Sequence, residues 1–255
     1  MFQLVRYILL DILRTRFILF YTLLLLLSSV GMFQLDGDTS KVLLSLMNIV
    51  LIVVPLVSVV FSTIHFYNSY EFIELMLAQP IDRRLIFWAE FIATVLSLVA
   101  SYLLGIGLPM LFYGGAVGGT MLLFTGSMLT VAFVSLAFLS SVLTRDKAKA
   151  IGLALLFWLY FALIYDAFVM WFIYQFSEYP LEMATLALVS LNPVDLARIL
   201  MMLQLDISAL MGYSGAFFKQ FFGSPLGGSF AAGMLVVWSL LPIALATRIF
   251  RKKDL

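Results

Sequence analysis

Ser214 stands in the run Gly212-Tyr-Ser-Gly215, a setting in which a serine hydroxyl could act as a nucleophile. Such a serine needs a general base within hydrogen-bond reach, and the chain has one histidine, His65. We predict His65 at the inner end of the second membrane span and Ser214 on the outer side. The two would then be about 30 Å apart, the thickness of the hydrocarbon core. We therefore interpret the glycine–serine run as a turn and predict no catalytic residue.

Methionine supplies the only soft metal ligand in the chain, which contains thirteen methionines and no cysteine. The absence of cysteine excludes disulfides, thiol redox chemistry and cysteine-type zinc sites. The methionines on the predicted outer side include Met183, Met201, Met202 and Met211. Met201 and Met202 are adjacent, so on a helix they point about 100° apart and cannot grip one ion together. Because methionine is also ordinary apolar packing material, we predict no metal site.

Two acidic residues fall inside predicted membrane spans. Asp166 lies deep in the fifth span, where an ionisable group is by default functional and faces protein or water. The alternative left open is a hydrogen bond to a neighbouring helix, or a position nearer the outer interface. Glu90 lies one turn inside the third span, and we expect its side chain to extend toward a cation at the inner surface. The candidate cations are Arg83, Arg84 and Lys147.

The composition indicates a polytopic membrane protein. Of 255 residues, 64% are hydrophobic and 11% are charged, whereas a soluble domain carries about 25% charged residues. The net charge is +1 and no basic patch alternates with aromatic residues, so we predict no nucleic-acid partner. No Gly-x4-Gly-Lys-Ser/Thr phosphate loop occurs in the chain, which excludes ATP hydrolysis by that route.

Six apolar stretches are long enough to cross a bilayer, which takes about 20 residues each. They predict one all-α membrane domain over residues 1–255, with spans at Phe17–Leu35, Val42–Phe66, Leu85–Tyr113, Thr120–Leu143, Ala150–Gln175 and Ser229–Ile249. With the N-terminus inside, every Lys and Arg falls on the inner side except Lys41, Arg198 and Lys219. The excess of inner cations predicts that both termini are cytoplasmic.

Residues 1–16 are amphipathic and predict an interfacial helix that lies flat before the first span. One arc of the helical wheel is polar and the opposite arc is apolar. The polar arc contains Gln3, Arg6, Asp11 and Arg14, and the apolar arc contains Phe2, Leu9, Ile12 and Leu13. The alternative is a signal peptide, but no Ala-x-Ala-like cleavage site follows, so we expect an uncleaved anchor.

The outer segment, residues 176–228, is long and apolar but repeatedly interrupted by proline and polar residues. Asn192 as N-cap, Pro193 at the first helical position and Asp195 in the first turn predict a helix start. An apolar stripe follows at Leu196, Ile199, Leu200 and Leu203. We predict two short helices that lie at, or dip into, the outer interface. The alternative, two further spans, would bury Asp195, Arg198 and Asp206 in lipid at high cost.

Residues 70–84 form the longest polar interruption on the inner side. The first ten residues predict a short helix, which Pro80 ends before Arg83 and Arg84 lead into the third span. One face of this helix carries Phe72, Leu75, Met76 and Gln79, and another carries Glu71, Glu74 and Ala78. The segment is either a solvated amphipathic loop at the headgroups or a docking helix for a soluble partner.

The run Glu74-Leu-Met-Leu-Ala-Gln-Pro-Ile-Asp-Arg-Arg84 resembles the first cytoplasmic loop of ABC-2-type transporter permeases. In that family the loop forms a coupling helix that sits in a cleft of a separate ATPase subunit. Here Phe72-Ile73 stand where the family has Gly-Thr, so the helix is expected to start earlier, near Tyr70. The resemblance implies ATPase-coupling roles for Glu71, Phe72, Glu74, Leu75, Met76, Gln79, Arg83 and Arg84.

The run Asn192-Pro-Val-Asp-Leu-Ala-Arg198, followed by residues 203–216, resembles the segment before the last span of NosY-type permeases. These permeases serve maturation of nitrous oxide reductase, through assembly of its copper–sulfur centre. The resemblance implies a homodimer in the inner membrane and two copies of a NosF-type ATPase that bind ATP and Mg. It also implies a periplasmic NosD-type partner and no cofactor in this chain itself. The implied outer-partner contacts are Asn192, Asp195, Arg198, Asp206 and Tyr213.

Two other functions remain open from the sequence. The chain could be an ABC-2 exporter permease for a lipid, drug or peptide, which would share the inner loop but not the role in maturation. It could also be an ion-coupled carrier that uses Asp166. Co-purification with an ATPase would separate the carrier from the two ABC functions.

Overall fold

The fold is a bundle of helices, seen in a computed structural model that describes residues 2–77, 82–113, 116–176, 179, 181–204, 222 and 224–252. Within these ranges every regular element is helical and none is a strand, as predicted. Six described helices are long and apolar enough to cross a membrane, which confirms the six predicted spans. They are Arg16–Leu35, Thr39–Asn68, Arg83–Phe112, Gly119–Leu143, Lys147–Gln175 and Leu226–Lys252. The protein is therefore a multi-pass membrane protein.

Twelve α-helices can be numbered in chain order within the described residues. They are α1 (Phe2–Leu13), α2 (Arg16–Leu35), α3 (Thr39–Asn68), α4 (Tyr70–Leu77), α5 (Arg83–Tyr102), α6 (Leu108–Phe112), α7 (Ala116–Leu143), α8 (Lys147–Leu159), α9 (Tyr165–Gln175), α10 (Glu182–Ser190), α11 (Pro193–Gln204) and α12 (Pro225–Lys252). The π-helical turn Leu103–Gly107 joins α5 to α6 in the third span, and the π-helical turn Tyr160–Ile164 joins α8 to α9 in the fifth.

Aspartate caps begin three of the spans. The backbone N–H of Ser40 donates to Asp38 (3.0 Å), that of Arg84 to Asp82 (3.0 Å), and that of Ala148 to Asp146 (2.8 Å). A capping carboxylate satisfies N–H groups that the first helical turn leaves without partners. These three spans consequently begin two or three residues before the starts that the hydrophobic pattern had predicted.

The centre of the bundle is α7, the most buried span, against which α3 and α12 pack. Tyr102 of α5 donates a hydrogen bond to the carbonyl of Leu122 at 2.7 Å, and its ring lies on Gly126. A Cβ atom at Gly126 would collide with that ring, so the glycine permits the close approach of α5 to α7. The least buried spans are α2 and the α8–α9 span.

An aromatic cluster joins α3, α5, α7 and α12 at the end of the bundle where α4 lies, called here the α4 end. Phe66, Phe87 and Phe138 make edge-on contacts with ring centroids 5.3–6.2 Å apart. Phe250 of α12 stacks on Phe87 at 4.8 Å. The cluster therefore places the ends of α3, α7 and α12 and the start of α5 at one level, as the predicted alternation of spans requires.

The amphipathic N-terminal segment forms a separate helix, α1, as predicted. Its residues Ile8 and Ile12 are buried, and α1 packs along α5. Phe2, which the helical wheel puts on the apolar arc, is 81% exposed. The apolar face of α1 thus rests largely on protein, and its position relative to the membrane surface stays a prediction.

The two predicted short helices of the outer segment are present as α10 and α11, which meet at 113°. The side-chain amide of Asn192 donates to the carbonyl of Phe161 at 2.9 Å, and the Trp238 indole N–H donates to the carbonyl of Ser190 at 3.3 Å. Phe161 and Trp238 stand near the middle of the fifth and sixth spans. The apex of this α10–α11 hairpin therefore reaches the level of mid-span.

The expectation that these helices lie at, or dip into, the outer interface stays a prediction, but their apex is held deep in the bundle. Leu196, Ile199 and Leu200 are buried against α7 and α12 rather than turned toward a surface. Turns at membrane depth are tolerated when they are enclosed by protein, because neighbouring helices then satisfy the free backbone groups. The end of the bundle from which the hairpin enters is called here the hairpin end.

Candidate functional site

The short helix α4 is held against the bundle by one face. Ile73 is 1% exposed, and Phe72 and Met76 are half-buried against the core. Phe72 also stacks on Tyr7 of α1, with ring centroids 6.2 Å apart. Leu75 is 70% exposed and faces away from the bundle. A helix fixed on one side and open on the other can accept a second protein without losing its own support.

The predicted coupling residues are divided between these two faces of α4. Of the three described side chains on α4 that were expected to contact a partner, only Leu75 is largely exposed, because Phe72 and Met76 support the helix. Arg83 and Arg84 are exposed at the start of α5. The side chains of Glu71 and Glu74, and the whole of Gln79, lie outside the described residues. The contact with an ATPase stays a prediction for all eight positions.

Glu90 is buried and paired with histidine, so the expectation that it extends toward the inner cations is wrong. Its side chain is 1% exposed, and its Oε2 atom lies 3.1 Å from Nε2 of His65 on α3. The ring of Phe61 stacks against the imidazole at 5.8 Å. Glu90 lies on the face of α5 that is turned into the bundle, where His65 is within reach and the surface cations are not.

A second polar cluster links the fifth span to the α10–α11 hairpin. Nη1 of Arg198 lies 2.7 Å from Oδ2 of Asp166 and 3.2 Å from Oδ1 of Asp195. Asn192 donates to Oδ2 of Asp195 at 2.8 Å and accepts a hydrogen bond from the backbone N–H of Val194 at 2.9 Å. The predicted N-cap is thus confirmed, and its side chain also ties α11 to the fifth span through Phe161.

This cluster shows which of the alternatives for Asp166 holds. The side chain of Asp166 is bonded to a neighbouring helix. Asp166 is five residues beyond Phe161, so it lies about 7 Å from mid-span toward the hairpin end at the helical rise of 1.5 Å per residue. Its side chain is nevertheless 41% exposed on the surface of the bundle. Two carboxylates share one guanidinium here, so the cluster has an excess of negative charge.

The buried members of the cluster are not available for direct contact with an outer partner. Asn192 is 0% exposed and Asp195 is 6% exposed, so both serve the inside of the fold. Arg198 is partly exposed, with 27% of its side chain accessible. Asp206 and Tyr213 lie outside the described residues, as does the run at Ser214. A role for this segment in contacting a partner stays a prediction.

Sequence reasoning missed the side chains that fix the hairpin from outside. The hydroxyl of Tyr165 donates to the carbonyl of Leu188 at 2.7 Å, and the indole of Trp238 reaches Ser190. No spacing signal identifies such partners, because they lie on different helices. Among the described residues no group of three or more His, Asp or Glu side chains could hold a metal ion.

Comparisons with known proteins cover nearly the whole chain. Residues 8–255 match the sequence profile of the family described as ABC-2 family transporter protein. The chain is also similar to the "Probable ABC transporter permease protein NosY" of Pseudomonas aeruginosa. The two are 28% identical over 267 aligned positions, which cover 96% of this chain and 95% of that protein.

Proposed function

We propose that this chain, which belongs to the ABC-2 family of transporter permeases, takes its drive from a separate ATPase through α4 and serves maturation of nitrous oxide reductase. Membership makes it the permease subunit of an ABC transporter. The likeness to the NosY protein, which extends over almost the full length of both chains, supports the finer role. The partners would be a NosF-type ATPase, a NosD-type periplasmic protein and a second copy of this chain.

The observation that supports the coupling role is the way in which α4 is held against the bundle. Ile73 and Phe72 fix the helix to the bundle, while Leu75 projects outward. A push on the outward face would therefore move α4 together with the spans that support it, instead of rolling it on the surface. The helix follows the second span after a single residue, Ser69, so little flexible chain lies between a docked ATPase and the membrane.

The distribution of cations supports a cytoplasmic α4 end. Helix ends at this level carry Arg16, Arg83, Arg84, Lys147, Lys149, Arg251 and Lys252. Positive residues are concentrated on the cytoplasmic side of membrane proteins, which is also the side where ATP is available. The hairpin end would then face the periplasm across the inner membrane.

The exposed face of α8 and α9 is the surface we assign to the second copy. Leu156 and Leu163 are 62% and 53% exposed there, beside the accessible carboxylate of Asp166. An ionisable side chain at this depth is costly in lipid and is normally covered by protein or water. A second copy placed on this face would enclose both Asp166 side chains.

The coupling role predicts that Leu75→Asp abolishes stimulation of the ATPase by the permease, while the protein still inserts. The substitution puts a charge in the centre of the outward face, where an apolar contact is expected to be lost. Leu226→Asp is the matched control, because Leu226 is 83% exposed at the hairpin end. ATPase activity in purified complexes measures the effect. Wild-type stimulation in Leu75→Asp would refute the docking role.

The maturation role predicts that deletion of the gene leaves nitrous oxide reductase without its copper–sulfur centre. Absorption spectra of the enzyme purified from the deletion strain would check this, with the wild-type gene restored on a plasmid as the control. A reductase with a complete centre in the deletion strain would instead favour export of a lipid, drug or peptide.

The dimer face predicts that Leu163→Cys cross-links two copies in the membrane. Leu241→Cys is the control at similar depth on α12, where the side chain is 51% exposed. Cross-linking at position 241 but not at 163 would place the interface elsewhere. The chain has no cysteine of its own, so each variant carries one reactive site.

A further inference from the structure

Residues His65–Ser69, the last turn of α3 with its C-cap, contact four other helices, and this segment is called here the α3 junction. It stands directly before α4, and its backbone continues into that helix. The carbonyl of Ser69 accepts a hydrogen bond from the N–H of Ile73 at 2.9 Å, and the N–H of Ser69 donates to the carbonyl of His65 at the same distance. Displacement of α4 is therefore passed directly to this turn.

The first link joins the junction to the third span. His65 is paired with Glu90 of α5 at 3.1 Å, and the two side chains are only 11% and 1% exposed. The Oγ atom of Ser69 lies 3.5 Å from the same imidazole nitrogen, so the residue that leads into α4 also touches this pair. Removal of one partner from a buried hydrogen-bonded pair leaves the other polar group unsatisfied, which opposes separation of the two helices.

The second link joins the junction to the fourth span. The hydroxyl of Tyr67 lies within 3.3 Å of the carbonyls of Ser141 and Thr144 and 3.1 Å from the Thr144 hydroxyl oxygen. These acceptors belong to the last turn of α7 and the residue after it, where the carbonyls have no partner within the helix. The tyrosine thus caps the end of the central span from a neighbouring helix.

The third link joins the junction to the fifth span. Nζ of Lys147, the first residue of α8, donates to Oδ1 of Asn68 at 2.8 Å. This contact is exposed, and exposed polar contacts between long side chains contribute little to stability. The three links therefore differ in strength, and the exposed Asn68–Lys147 contact is the weakest of them.

We infer that the α3 junction distributes movement of α4 to the third, fourth and fifth spans, with His65, Glu90 and Tyr67 as positioning residues. Three polar side chains of this segment, those of His65, Tyr67 and Asn68, reach three different spans, so a small shift of α4 moves the ends of these spans together. This inference rests on the proposed coupling of α4 to an ATPase. Neither the pair nor the tyrosine touches the outward face of α4, so docking itself does not need them.

The test separates docking from transmission. Cysteines introduced at Met183 and Leu226, which are 76% and 83% exposed at the hairpin end, would carry spin labels in the complex with the ATPase. Their distance distribution would be measured without nucleotide and with ATP under conditions that block hydrolysis. We expect Glu90→Gln and Tyr67→Phe to keep the ATPase bound but to reduce the ATP-driven distance change by about half or more, because Tyr67→Phe removes one link and Glu90→Gln weakens another by replacing its carboxylate with a neutral amide.

Two control substitutions lie outside the junction, and one of them repeats the chemical change of Tyr67→Phe. Tyr179→Phe removes a hydroxyl from a side chain that is 67% exposed, and Lys149→Met removes an exposed charge two residues beyond Lys147. In both variants the ATP-driven distance change should equal that of the wild type. Tyr67→Phe keeps the ring in place, so it remains informative even if Glu90→Gln does not fold.

Three outcomes have distinct meanings. A bound ATPase with reduced movement in Glu90→Gln or Tyr67→Phe supports the junction. A bound ATPase with wild-type movement in both variants overturns it and leaves the coupling role intact. A wild-type chain that never binds an ATPase overturns the proposed function first, and the junction with it.

Discussion

At the scale of single residues, the cluster around Arg198 shows how charge is accommodated at membrane depth. One guanidinium lies within 3.2 Å of two carboxylates, and the amide of Asn192 bonds to one of them. Such groups are tolerated inside a membrane protein only when they are paired. The lone cation therefore bears more of the stability than either carboxylate.

Arg198→Met is accordingly expected to lower the free energy of unfolding by about 3 kcal/mol, because it leaves the buried carboxylate of Asp195 without its cation. Asp166→Asn should have a smaller effect, because that side chain is 41% exposed and water or a partner can compensate. Thermal unfolding in detergent measures both, with the exposed Lys149→Met as the control. Equal stability of Arg198→Met and the control would contradict the assigned role.

The sequence was informative about the polar residues whose partners are local. The N-cap role of Asn192 and the first-turn position of Asp195 follow from spacing alone, since their bonds run to neighbours within three residues. The partner of Glu90 could not be predicted, because it depends on which face of α5 is turned toward α3. A helical wheel gives the relative directions of side chains but does not identify the helix that each face meets.

At the scale of elements, the position of the hairpin apex depends on the side chain of Asn192, which makes two different contacts. Asn192 caps α11 with its oxygen and ties the apex to the fifth span with its nitrogen. Aspartate would cap the helix as well as asparagine does but has no N–H to donate. It would also place a carboxylate beside Asp195 and the carbonyl of Phe161.

We therefore expect Asn192→Asp to destabilise the protein more than Asn192→Ala, although aspartate is a better N-cap than alanine. The alanine variant loses a cap and its hydrogen bonds, which costs about 1–3 kcal/mol, and the aspartate variant adds repulsion between buried acceptors. Thermal unfolding of the two variants in the same detergent compares them. A more stable aspartate variant would mean that capping dominates and that the tie to span five is unimportant.

Element positions were predictable where a hydrophobic run or a cap marks them. The six spans and α4 were found because apolar length and helical spacing are local properties, and the Asp caps explain the displaced starts. The π-helical turns left no sequence signal that we identified. The depth of α10 and α11 could not be fixed from the sequence, because short apolar helices look alike whether they rest on lipid or insert between spans.

At the scale of the whole molecule, the two ends of the bundle are predicted to face different compartments. Leu75 marks the α4 end and Leu226 the hairpin end, and both are well exposed. With no native cysteine, Leu75→Cys and Leu226→Cys each give one labelling site. A membrane-impermeant maleimide should modify position 226 in intact cells and position 75 only in inside-out vesicles. Labelling of position 75 from outside the cell would reverse the assignment and remove the basis for ATPase docking.

The α10–α11 hairpin also bears on how the protein fits bilayers of different thickness. Its apex is bonded to Phe161 and to Trp238, near the centres of two spans, so its depth is set by protein and not by headgroups. In a thicker or thinner bilayer, helix ends adapt by tilting or by moving their flanking side chains. The apex would keep its distance from the bilayer midplane. Transfer of this chain to a host with other lipids should therefore change the positions of the helix ends before it changes the position of the apex.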